Sequence, residues 1–308
     1  MVTLARHAMA TRFELLLHGA SEAALRAAGE EALNEVDRLE NQLSLYRPGS
    51  EIAQLNARAA REPVQVSPEL FALLQHAQRL HAETDGAFDI TIGPLVRCWG
   101  FMTNEGKMPS AEAIAEARAR VGMGLVQLDN ARRTVRFTRE GVMLDLGAIG
   151  KGYAVERGAE LLREAGVTSA LFHGGTSTVC AIGHPPEADA WTVAIERPPP
   201  TVGAIPFPQL TPVQLNDESL SVSAIWGRVF QSDGKNFGHV IDPRTGQPVE
   251  GAWLSAVILP FATETDALST ALLTLGEPGL ERLSDARPGV RAMMVAQSGA
   301  VTVSRDWV

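Results

Sequence analysis

Leu125-Val-Gln-Leu-Asp-Asn-Ala-Arg-Arg-Thr-Val-Arg-Phe-Thr-Arg-Glu-Gly-Val-Met-Leu-Asp-Leu146 is the stretch where the texture of the chain changes. Leu125 to Leu128, Thr134 to Thr138 and Val142 to Leu146 are short apolar runs split by turn residues, which predicts strands paired antiparallel. The pattern continues downstream. Strands are expected at Ser169 to His173, Trp191 to Arg197, Leu220 to Ser223, Phe237 to Ile241, Leu254 to Leu259, Val290 to Ala296 and Ala300 to Val303. Two helices interrupt them, one from about Tyr153 to Ala165 closed by Gly166, the other from Thr263 to about Leu275. Pro198-Pro199-Pro200, with Pro206, Pro208 and Pro212, marks a long irregular loop.

Upstream, helices dominate. Arg12 to His18 reads as a strand ending at Gly19, after which Ser21 caps an amphipathic helix to about Glu40. Ser50 caps a shorter helix through Arg58, and Pro63 to Val66 is a brief strand. Ser67-Pro68-Glu69 places a capping residue before proline at the first helical position, opening a helix to about Thr84. Ser110 to Val121 is another helix. The expected fold is α+β, a mostly antiparallel sheet core with helices around it. Residues 1–308 read as a single domain with a helix-rich lobe at about 50–121.

Composition narrows the function. A hydrophobic fraction of 45% and a charged fraction of 20% exclude wholesale disorder. The net charge of -9 leaves no positive excess for a phosphate backbone, so nucleic acid is not an expected partner. The same acidity would repel a phosphate-bearing substrate, and a bound divalent cation is the usual remedy. Cys98 and Cys180 are too few for a disulfide framework or a four-cysteine zinc site. Met1 to Met9 lacks the apolar core of a secretory signal. No uncharged apolar run approaches the ~20 residues that span a bilayer, so no transmembrane segment is expected.

Four segments carry chemistry. Val142-Met-Leu-Asp-Leu-Gly-Ala-Ile-Gly-Lys-Gly152 reads as a strand, a glycine-rich turn and a helix, a place where backbone N–H groups can approach a phosphate. It matches neither a Walker loop nor the dinucleotide fingerprint, and a tight helix entry is the plainer reading. Asp145, within the apolar strand, needs a buried partner, though capping the following turn would serve equally well. In Thr263-Glu-Thr-Asp-Ala-Leu-Ser-Thr270, Asp266 and Thr270 share one helical face. Both are hard oxygen donors of the kind magnesium takes; a capped helix start with a stray threonine is the alternative. In Phe237-Gly-His-Val-Ile-Asp-Pro-Arg-Thr-Gly246 turn chemistry explains Asp242, Pro243 and Gly246 but not His239, which could be a core residue, a base or a ligand contact. Gly86-Ala-Phe-Asp89, running on to Trp99-Gly100-Phe101, is rich in glycine and aromatics and could clamp a planar ligand or plug a loop.

In this order the segments resemble the ApbE family, the FAD:protein FMN transferases. The resemblance runs from Met9-Ala-Thr-Arg-Phe-Glu14 to Thr270 and includes Leu43-Ser-Leu-Tyr-Arg-Pro-Gly-Ser50 and Ile52-Ala-Gln-Leu-Asn56. It implies FAD lying against Met9 and Tyr46, with Ala87, Phe88 and Asp89 beside it. Asp145 and Lys151 would face the flavin nucleotide, and His239 to Ile241 would lie near it. It also implies magnesium held by the Ala148 carbonyl, Asp266 and Thr270, with Thr263 able to contribute. The implied reaction moves FMN from FAD to a threonine of an acceptor protein and releases AMP, with Asp145 or His239 as base. An FAD pyrophosphatase and a non-catalytic FAD-binding protein are the rivals. The chain departs from the family pattern at Ala10, at His173-Gly-Gly-Thr-Ser-Thr178, where a carboxylate is lost, and at Ser221-Val-Ser-Ala224.

Overall fold

Strand Val2–Ala8 turns back into Thr11–Leu17 through only two residues, Met9 and Ala10, and the register Ala8 to Thr11 closes the hairpin. Both turn residues have positive φ, 49° and 58°, the conformation that matches strand twist in a two-residue hairpin. The hairpin begins an eight-stranded antiparallel sheet built in chain order. Ala170–Gly174, Thr178–Ile182, Ser219–Ala224, Ala252–Leu259, Arg291–Ala296 and Val301–Val303 complete it. These features belong to a computed structural model that describes residues 1–103, 105–196, 210–232 and 234–307.

Both faces of the sheet are buried, which is why its central strand Thr178–Ile182 shows no polar alternation. One face carries Phe13, Leu15, Leu17, Phe172 and Val257 into a core shared with the helices. The other carries Leu171, Val179, Leu254, Ile258 and Met293 against a ribbon of Trp191–Val193 and Val213–Leu215.

The helices are α1 (Glu22–Leu43), α2 (Glu51–Arg58), α3 (Pro68–Glu83), α4 (Gly93–Cys98), α5 (Ala111–Arg118), α6 (Gly150–Glu164), α7 (Ala262–Leu275) and α8 (Pro278–Ala286). Ser21, Ser50, Ser67 and Ser110 each accept the N–H three residues on, so the four expected caps open α1, α2, α3 and α5. Leu25, Ala32, Leu33, Val36 and Leu39 bury one stripe of α1, and α7 is buried nearly all round. None of the helices among the described residues is long and apolar enough to cross a membrane.

Several expected elements change. Val142 to Leu146 is not a strand; it is extended, but only Met143 bridges a neighbour, Ile92. Asn56 takes the place of a partner strand there, donating to the Leu144 carbonyl at 2.9 Å and accepting the Leu144 N–H at 2.8 Å. The strand begun at Trp191 ends at Val193, and Arg197 lies outside the described residues, as do Pro198, Pro199, Pro200, Pro206 and Pro208. Val2–Ala8, Thr178–Ile182 and α8 were not anticipated.

Ala10 occupies a left-handed position that costs a residue with a Cβ ~1–2 kcal/mol. Ala10→Gly is expected to raise the unfolding free energy by about 0.5–1 kcal/mol, the unfolded-state entropy of glycine offsetting part of the gain. Chemical denaturation of the two proteins measures it, and a less stable glycine variant would contradict the turn assignment.

Candidate active site

The site begins where α6 meets α7. A Cβ on Gly152 would stand 2.2 Å from the Ala262 carbonyl oxygen and 2.7 Å from Asp266 Cβ, so only glycine permits the contact. α6 opens at Ile149 with no side-chain cap of its own. Asp266 supplies one from the neighbouring helix, its Oδ2 accepting the Gly152 N–H at 2.9 Å. A carboxylate there satisfies an orphan donor and sits at the positive end of the α6 dipole. Lys151 Nζ lies 3.7 Å from the other carboxylate oxygen and donates to the Gly147 carbonyl at 3.3 Å.

Hydroxyl groups seat α7 on the sheet. Ser221 Oγ bonds Thr178 at 3.1 Å and Thr265 at 2.8 Å, and Ser223 Oγ bonds Ser269 at 2.9 Å and Thr270 at 3.0 Å. Ser255 donates to the Ser269 carbonyl at 2.6 Å. Asp266 and Thr270 therefore face one way because α7 is held both axially and in rotation.

Asp145 is carried past them on the segment that Asn56 clamps, with its own N–H donating to the Ile90 carbonyl at 2.7 Å. Its Oδ1 accepts the Gly147 N–H at 2.9 Å, so it does cap the following turn. Burial pushes its carboxyl up, while the Gly147 N–H, Arg228 and Lys151 oppose the shift. His239 moves the other way. Burial, with Arg228 and Lys151 acting in the same direction, lowers it to about 4. Its Nδ1 accepts the Arg228 N–H at 3.3 Å, which leaves the proton of the neutral ring on Nε2.

Asp89 has a different task. Its Oδ1 accepts the N–H and hydroxyl of Thr91 at 2.7 and 2.6 Å, and Oδ2 lies 3.2 Å from His81 Nδ1. That contact raises the His81 pKa and ties the Gly86–Asp89 loop to α3. Trp99 is buried, donating to the Gly246 carbonyl at 2.8 Å and packing against Phe230 and Phe237; it plugs a loop.

A cleft of about 700 Å³ gathers these groups. Met9, Tyr46, Ala87, Phe88, Asp89, Asp145, Ala148, Lys151, His239, Ile241, Asp266 and Thr270 all line it. Thr263 does not; it is buried in the first turn of α7, where its N–H donates to Glu156 at 2.9 Å. Tyr46 stands at the rim, 62% exposed. Arg228, Ser223, Thr176 and Ser177 also line the cleft. Thr176, Ser177 and Ser223 fall in the two segments where the chain departs from the family pattern, whereas no local pattern marked Arg228. Among the described residues no group of three or more His, Cys, Asp and Glu side chains could hold a metal, so a cation here would rest on mixed oxygen donors.

Compared with known protein families, residues 9–294 match the ApbE family. The chain belongs to it. A relative from Klebsiella pneumoniae (strain 342), named FAD:protein FMN transferase, is 33% identical over 299 residues, 94% of this chain and 83% of its own. The crystal structure of the ApbE protein from Thermotoga maritima superposes with a TM-score of 0.88 at 27% identity, covering 99% of this chain and 97% of that one. The apo form of the flavinyl transferase ApbE from Pseudomonas stutzeri gives 0.84 at 29% identity, covering 99% and 95%. Agreement over the whole length means that the ApbE resemblance read from scattered segments reflects one shared α+β fold.

The lowered His239 makes stability depend on pH. The unfolded histidine takes its proton near its ordinary value of 6.5, the folded one only at about 4. Stability is thus fully present above about pH 6.5 and lost as the pH falls toward about 4. His239→Gln is expected to flatten that loss, and thermal melts of both proteins at several pH values in this window measure it. An identical acid-side fall in the variant would refute a half-buried neutral histidine.

Proposed function

We propose that this ApbE-family chain transfers the FMN half of FAD to a threonine hydroxyl of an acceptor protein, releasing AMP, with magnesium as its cofactor. The observation that carries the reading is the convergence in one cleft of Asp145, Lys151, His239, Asp266 and Thr270, from segments far apart in sequence. The name of the Klebsiella relative supports the same substrate and acceptor class. A volume of about 700 Å³ suits a ligand of dinucleotide size, since pockets usually run about 300–1,000 Å³.

The donor set fits magnesium. The Ala148 carbonyl, the Asp266 carboxylate and the Thr270 hydroxyl are hard oxygens with a single charge, suited to an ion that keeps several waters and leans on phosphate. Thr263, off the cleft wall, supports α7 through Glu156. When bound, the ion would neutralise charge on the pyrophosphate oxygens.

The chain's own residues do the rest. Tyr46 offers a ring for stacking at the rim, and Met9, Ala87, Phe88 and Ile241 form apolar walls. Asp89 shapes the loop that carries two of them. Asp145 is the better base, because burial strengthens its affinity for a proton while His239 is a weakened one. His239 acts as a hydrogen-bond donor through Nε2. The threonine oxygen bonds to the FMN phosphorus, the pyrophosphate P–O bond breaks toward AMP, and Asp145 takes the hydroxyl proton. Mass spectrometry of a candidate acceptor incubated with FAD and magnesium tests the reading; AMP release with no mass gain on the acceptor would favour a pyrophosphatase.

Asp266→Asn keeps an acceptor for the Gly152 N–H and removes the charge. It is expected to cut magnesium-dependent AMP release by about a hundredfold or more with an unchanged melt. Asp266→Ala should lose about 1–3 kcal/mol of stability as well, because it strands a buried N–H. Normal turnover in the asparagine variant would remove Asp266 from the cation site.

A further inference from the structure

Among the described residues three cations line the cleft, Arg47, Lys151 and Arg228. Two are already engaged. Arg47 pairs with Glu40 at 2.7 Å and bonds Asn41, and Lys151 lies between Asp266 and the Gly147 carbonyl. The exposed Arg228 guanidinium makes no ion pair or side-chain hydrogen bond among the described residues. Its backbone, by contrast, is fixed. The Arg228 N–H donates to His239 Nδ1 at 3.3 Å, and the His239 N–H donates to the Arg228 carbonyl at 3.0 Å. These two residues close the base of a ribbon formed by Val229–Ser232 and Lys235–Gly238. The ribbon is anchored in turn by Phe230 and Phe237, stacked 5.3 Å apart and packed on Trp99.

We infer that Arg228 is a substrate-binding residue, whose guanidinium holds phosphate oxygens of the FAD pyrophosphate. The inference rests on the transferase reading. An arginine presents a fork of N–H donors that matches two phosphate oxygens at once, and such charge-assisted pairs are stronger than neutral hydrogen bonds. A fixed backbone with a free head group is the arrangement that serves this. The strand-to-ribbon junction holds the Cα in place, and among the described residues no carboxylate hydrogen-bonds or ion-pairs with the fork. The charge also reaches the centre of the cleft, since Arg228 favours the ionised form of Asp145 and the neutral form of His239. In a chain of net charge -9, an unengaged cation at this point offsets the repulsion a pyrophosphate would otherwise meet.

The test is FAD affinity by fluorescence titration for the wild type, Arg228→Gln and Arg228→Lys, at low and high salt, beside thermal melts without ligand. The expected result is a loss of about tenfold or more in Arg228→Gln, a smaller loss in Arg228→Lys, and a weaker salt dependence in the glutamine variant. Melting temperatures should stay together. Unchanged FAD affinity in Arg228→Gln overturns the inference while leaving the transferase reading intact. So does an equal loss in both variants accompanied by lower melts, which would mean that Arg228 merely holds the ribbon. A wild type that binds no FAD defeats the transferase reading and the inference together.

Discussion

A buried carboxylate on one helix, capping the N-terminus of another, is the contact on which the rest of this structure depends. Asp266 on α7 accepts the Gly152 N–H of α6, and the helices meet so closely there that a methyl group on Gly152 would strike the Ala262 carbonyl. Burying a carboxylate is unfavourable unless it is bonded and offset by positive charge. The α6 N-terminus and Lys151 supply both, from adjacent positions in the chain. One contact thereby fixes the relative height of two helices, places Lys151 beside Asp266 and presents the Ala148 turn to the same cleft.

The second constraint is rotational. A helix buried nearly all round could slide or turn on an apolar sheet, because hydrophobic contact is not directional. The hydroxyls of Ser221, Ser223 and Ser255 against Thr265, Ser269 and Thr270 are directional, and each misplaced one would be a buried polar group without a partner. They make a single rotation of α7 favourable. In the proposed reaction that rotation matters, since it decides whether the Thr270 hydroxyl and the Asp266 carboxylate point to the cleft or into the core.

Much of this was legible because its causes are local. The serine caps of α1, α2, α3 and α5 depend on residues three positions apart, and the shared face of Asp266 and Thr270 follows from helical pitch. What escaped was non-local or lacked its usual marker. The first hairpin turns on Met9-Ala10, with neither the glycine nor the asparagine that normally announces such a turn. Thr178–Ile182 is buried on both faces and shows no alternation. Val142 to Leu146 has the composition of a strand, but its partner is the Asn56 side chain 88 positions away. The bond between Asp266 and Gly152 spans 114 positions, and no spacing rule reaches so far. Arg228 was invisible for a similar reason, as its place on the cleft wall comes from the fold and not from a local pattern.

The centre of the cleft shows how burial alone separates two titratable groups. Removing water disfavours whichever form is charged, so the same desolvation raises Asp145 and lowers His239. Arg228 and Lys151 then act on both in one direction, favouring ionised Asp145 and neutral His239. Both groups line one cleft, where the carboxyl is raised and the imidazole lowered. Phosphate oxygens that engage Arg228 would weaken its pull on Asp145, and the carboxylate would become a stronger base when substrate is present. Base strength and substrate binding would then be coupled through a single guanidinium, without any movement of the backbone.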